Sequence, residues 1–111
     1  MRPLTHQEAA VIAATLERAS LIPVAPSVLS TLGQIQVVGQ CECGCASIDF
    51  LVGEEAQGAQ VLADGLGTLE PGGTDIGVMV WGFPDRLTAL EVYECSEAAP
   101  LLPAPSSIHP W

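Results

Sequence analysis

Apolar residues change their spacing twice along this chain. Near the N-terminus they recur with helical period: Ala9, Ile12, Ala13 and Leu16 fall on one stripe. Thr5-His6-Gln7-Glu8 precedes that stripe as a capping box, with Thr at the N-cap and Glu at the third helical position. The pattern predicts a helix from about residue 6 to 19, ended by Pro23 and Pro26. Val28, Leu29 and Leu32 outline a second, short helix before Gly33, with Ser27 as its cap.

From Gln34 the period becomes two. Ile35 and Val37 alternate with Gln34 and Gln36, and the same parity extends to Gly39, Cys41 and Cys43. Ile48, Phe50 and Val52 mark a second strand, and residues 53–58 a turn. Ala59 to Ala63 reads as a short third strand, and the glycine-rich stretch from Asp64 to Asp75 as a loop. Ile76 to Phe83 is the strongest strand: Ile76, Val78 and Val80 share one face, and Met79, Trp81 and Phe83 the other. Apolar residues on both faces suit a central strand, or one with a face under a helix. Pro84-Asp85 is a turn, and Leu87 to Glu94 its hairpin partner, with Leu90 and Val92 opposite to Leu87, Ala89, Glu91, Tyr93 and Cys95.

These elements predict an α+β domain over residues 1–97: an N-terminal helix, with room for a second, packed on a mainly antiparallel meander of four or five strands. Residues 98–111 hold four prolines and read as an irregular tail, laid over the domain through Leu101, Leu102 and Trp111.

Charge narrows the partners. The 111 residues include 13 acids and only three cations, Arg2, Arg18 and Arg86, for a formal charge of −10. A phosphate backbone needs a basic face, so nucleic acid is excluded, and anionic membrane surfaces are disfavoured for the same reason. A basic protein partner, or a metal cation, is electrostatically allowed. No segment has the ~20 consecutive apolar residues of a bilayer span. The Ala-rich stretch from Ala9 to Leu16 is flanked by Glu8, Glu17 and Arg18 and lacks a small-x-small cleavage site. A cytoplasmic, reducing location is therefore expected, where clustered cysteines favour metal or redox chemistry over a disulfide framework.

Three of the chain's four cysteines lie within Cys41-Glu42-Cys43-Gly44-Cys45. Zinc draws thiolates to about 2.3 Å in a tetrahedron, so neighbouring sulfurs sit about 3.8 Å apart. Residues two apart on a flat strand are separated by about 6.6 Å. The chain must therefore fold over the ion, and Gly44 permits the required turn. Cys95, at a strand end, is the best fourth ligand; His6, His109 or water are the alternatives. Thiolates would also hold Cu(I). A strained Cys-x-Cys disulfide is the redox alternative, but Glu42 and the acidic chain disfavour a reactive thiolate. Small hydrophobes packed at a sheet end are the third reading.

Other residues carry weaker signals. Asp49 shares a strand face with Ser47, and Glu91 with Tyr93, which suits acid–base work but equally a half-exposed sheet face. Gly65-Leu66-Gly67 and Gly72-Gly73 match neither dinucleotide nor Walker patterns. Trp81 reads as core and Trp111 as a tail anchor. Pro103-Ala104-Pro105 is short for a polyproline docking motif.

The segment from Val37 through Asp49, with its Cys-x-Cys-Gly-Cys-x-Ser core, resembles a small bacterial family of uncharacterised proteins. These carry such a segment between two strands, with a preceding helix and a Pro-rich tail. The hairpin from Asp85 to Tyr93 is similar to one in that family and in other small α+β bacterial proteins, some toxin-immunity proteins among them. The resemblance implies an α+β fold and no catalytic residues. Cys95 lies outside the resembling segments. The residues themselves lead to a zinc site through Cys41, Cys43, Cys45 and Cys95. The alternatives are an acidic immunity- or inhibitor-type module without metal, and a thiol redox protein.

Overall fold

A computed structural model describes residues 2–40, 46–69, 74–94 and 102–110. The chain forms an α+β fold in which an N-terminal helix packs on an antiparallel sheet. In order come β1 (Arg2–Pro3), α1 (His6–Arg18), α2 (Pro26–Ser30), β2 (Gln36–Val37), β3 (Gly39–Gln40), β4 (Ile48–Asp49), β5 (Gln60–Leu69), β6 (Thr74–Phe83), β7 (Arg86–Glu94) and β8 (His109–Pro110). Strands β3-β4-β7-β6-β5-β8 make one six-stranded sheet, and β1-β2 a separate ribbon. Among the described residues no helix is long and apolar enough to cross a membrane.

The capping box forms as its sequence demands. Glu8 N–H donates to Thr5 Oγ1 at 3.1 Å, and Thr5 N–H to Glu8 Oε1 at 2.8 Å. Arg2 then clamps the Glu8 carboxylate with two contacts of 2.8 and 2.9 Å. This fork ties β1, and through it β2, to the start of α1. The buried face of α1 is wider than the predicted stripe. It adds Glu8, Val11, Ala14 and Thr15 to Ile12 and Leu16, and leaves Ala9 and Ala13 half-buried. Thr15 tolerates complete burial because its hydroxyl donates to Val11 O at 2.7 Å.

The second helix starts with Pro26 at its first turn and Ala25 at the N-cap, so Ser27 lies inside it rather than capping it. A 3-10 turn over Leu32–Gln34 then takes up the start of the strand expected from Gln34.

The expected loop from Asp64 to Asp75 is instead largely strand: β5 runs to Leu69 and β6 begins at Thr74. Gly65 and Gly67 serve packing rather than turning. A Cβ on Gly67 would sit 2.7 Å from Pro103 Cβ, and one on Gly65 3.1 Å from Ala19 Cβ. Only glycine lets the helix end and the C-terminal segment lie directly on β5.

That C-terminal segment is no irregular appendage where it is described. Pro105–Ser107 forms a 3-10 turn, Ile108 is buried in the core, Leu102 packs against it, and β8 pairs with β5. Leu101 and Trp111 lie outside the described residues. The outward backbone groups of β5 are met in turn. Leu62 O accepts from Leu21 and Ile22, Asp64 N–H donates to Ala19 O, and Leu66 pairs with His109. Thr68 N–H donates to Ser107 Oγ, and Thr68 O accepts from Ala104. The chain thus passes from the end of α1 straight into pairing with β5, before it reaches Pro23.

The core face of the sheet is a set of aligned rungs. Ile48, Leu90, Val80 and Ala63 face one another across β4, β7, β6 and β5, and all are buried. Ile76 and Val78 extend the same face under α1. Near the β6–β7 turn the register slips, with Trp81 opposite Ala89 but Gly82 opposite Leu87. Thr88 is thus an extra residue, and the slip turns Leu87 into the core, against its expected parity.

The Arg2–Glu8 fork makes a pH prediction. Hydrogen bonding from Arg2 holds the Glu8 carboxyl below its ordinary range; burial opposes this, and the Thr5 backbone N–H assists it. A depressed folded-state pKa gives stability that is present above about pH 4.3, the unfolded value, and lost as pH falls through the folded value. E8Q, which keeps a capping side chain, should cost about 1 kcal/mol at neutral pH and flatten this acid slope. Urea unfolding from pH 3 to 7 measures both.

Candidate functional site

Among the described residues no α-helix lies on the sheet face away from α1. One rung of it reads Asp49 on β4, Ala89 on β7, Trp81 on β6 and Val61 on β5. Glu91 comes next on β7 on the same face, opposite Met79, and Tyr93 beyond it, opposite Gly77. These side chains are half-buried, apart from Gly77, which is buried, and Asp49, which is exposed. Of these, Asp49, Ala89, Trp81 and Glu91 border an open groove of about 610 Å³, whose remaining rim includes Gln40, Ser47, Ala56, Gly58 and Ala59.

Two side-chain hydrogen bonds on this face cross between strands. The Trp81 indole N–H donates to Glu91 Oε2 at 3.2 Å. The Tyr93 ring lies flat over Gly77, and its hydroxyl donates to Asp64 Oδ1 at 3.1 Å. Tyr93 thus spans β7, β6 and β5, and only a glycine beneath the ring leaves room for it. Trp81, read from sequence as core, is instead a groove wall. The alternation along β6 puts it opposite Val80 but cannot say which face the helix covers. Asp64, read as a loop residue, is the carboxylate that anchors Tyr93.

Cys41, Cys43, Cys45 and Cys95 all lie outside the described residues, but both segments leave from fixed points. On the outer edge of β7, Thr88 O accepts from Phe50 and Leu51 N–H, and Leu90 pairs with Ile48. At Val92 a side chain replaces the backbone ladder. Val92 N–H donates to Ser47 Oγ at 2.8 Å, and that hydroxyl donates to Val92 O at 3.2 Å. Ser47 is two residues after Cys45, and Val92 three before Cys95. The other end of the run is held by Gln40, opposite Ile48. The Ser47–Val92 clasp thus joins the flank of the cysteine run to the flank of the fourth cysteine.

The histidines are placed apart from one another. His109 sits on β8, five strand spacings or about 24 Å from β3. That separates it from the flanks of the run. His6 is exposed in the first turn of α1. Among the described residues no group of three or more His, Cys, Asp or Glu is arranged to hold a metal ion.

Comparison with protein-family models, with curated proteins and with solved structures found no match.

The open face gives a packing prediction. Gly77→Ala should displace the Tyr93 ring and cost about 1–3 kcal/mol. Tyr93→Phe, which removes only the bond to Asp64, should cost about 1 kcal/mol or less. Urea unfolding of the two variants side by side separates ring displacement from hydrogen-bond loss.

Proposed function

We propose that this protein binds a structural or regulatory zinc ion through Cys41, Cys43, Cys45 and Cys95. The observation that carries the reading is the double hydrogen bond between Ser47 and Val92. A chain extends at most about 3.6 Å per residue. Two residues from Ser47 and three from Val92 are therefore tethers short enough for the thiols of Cys45 and Cys95 to meet one ion. The donor set supports the assignment, since four soft sulfurs suit tetrahedral zinc. The placement of His109 at the far edge of the sheet favours Cys95 for the fourth position. Ser47 acts here as a positioning residue that holds one ligand segment against the other.

The zinc would close the β3–β4 connection onto the end of β7. Ile48 and Leu90 are buried in the core beside these flanks, and Ser47 and Gln40 hold the ends of the run, so the proposed role of the ion is to fix these two segments rather than to build the core.

Metal analysis of the reduced, folded protein tests the reading. About one equivalent of zinc per chain is expected, lost in C95S and in each of C41S, C43S and C45S. Less than about a tenth of an equivalent of any transition metal overturns it. Ser47→Ala keeps all four sulfurs and should weaken zinc binding about tenfold or more, read by competition with a chromophoric chelator.

A further inference from the structure

We infer that the groove on the open sheet face is a docking site for an arginine side chain presented by a basic polypeptide partner. Such docking does not require the zinc ion.

The floor of the groove is Ala89. Its rung neighbours, Asp49 on one side and Trp81 on the other, are separated by two strand spacings, about 10 Å between Cα atoms. A methyl side chain between two larger walls leaves a slot rather than a flat face. Trp81 offers one aromatic wall, held in place by its bond to Glu91. The exposed Asp49 forms the other wall, leaning over Gly39 on β3, with its Oδ2 3.2 Å from where a Cβ on that glycine would lie. Glu91 adds a second carboxylate beside the indole.

No cation of the chain compensates these carboxylates. All three are engaged elsewhere. Arg2 is bound to Glu8. Arg18 donates to Pro105 O and Ser106 O at 3.2 and 3.1 Å. Arg86 pairs with Asp85 and lies 4.3 Å from the Phe83 ring centroid. None of the three lines the groove. The slot therefore presents negative charge and an aromatic wall to solvent, in a chain of formal charge −10.

A guanidinium group answers each of these features. It is flat enough for a slot, stacks on indole, and donates in a fork to carboxylates. A lysine ammonium would satisfy the charge but neither the stacking nor the fork. A second copy of this acidic chain would bring like charge to the same face.

A blocked glycine–arginine–glycine peptide, titrated against the 15N-labelled protein, tests the inference. The expected result is a saturable shift of the Trp81 indole N–H, assigned by its loss in Trp81→Phe. The citrulline peptide, equal in shape but neutral, should bind at least tenfold more weakly, and 0.5 M salt should weaken the arginine peptide several-fold. D49N and E91Q should each reduce affinity about threefold or more. Ala89→Met, which fills the slot, should abolish the shift; D49N, at an exposed position, keeps the test valid if the filled variant does not fold. No saturable shift, or equal shifts with the arginine and citrulline peptides, overturns the inference.

Discussion

The burial of β6 is the constraint on which the rest of the molecule depends. Ile76, Val78 and Val80 are removed from solvent on one face, and β5 and β7 pair along nearly the whole strand on either side. A strand buried in this way must have both neighbours in register and a helix above it. The α1 stripe, the β6–β7 turn and the glycines of β5 all serve that requirement. The opposite face of β6 is then left with Trp81, Met79 and Gly77, which, among the described residues, meet solvent and other side chains rather than a second layer.

How much of this was legible in the sequence depended on whether a signal was local. The capping box, the alternation from Ile76 to Phe83 and the Pro84-Asp85 turn are encoded by neighbours a few residues apart, and each formed where expected. Gly65 and Gly67 misled because the local signal of glycine is a turn, while here it records the close approach of Pro103 and Ala19 from distant parts of the chain. The C-terminal prolines misled likewise. An edge strand paired on one side does not require every backbone donor, so Pro110 can lie opposite Gly65. The groove was only half legible. Parity placed Ala89, Glu91 and Tyr93 together, yet Trp81 and Asp49 join them only through cross-strand register.

The two proposed binding features converge on the junction of β4 and β7 from different directions. Ser47 belongs to both, bordering the groove and fastening the cysteine flank to Val92. A partner seated against Asp49 would therefore press on the strand that follows the cysteine run. Their proximity is a product of topology: Ser47 immediately precedes β4, and Asp49 lies within it.

The treatment of β5 has a consequence for how the molecule behaves among its neighbours in a crowded solution. A bare edge strand is a template on which another chain can add itself, strand by strand. Here Ala19–Ile22, β8 and Ala104–Ser107 occupy the outward donors and acceptors at Leu62, Asp64, Leu66 and Thr68 in succession. The segment that follows α1 and the one from Ala104 to Pro110 thus act as a guard against polymerisation, keeping a long, glycine-softened strand from recruiting copies of itself.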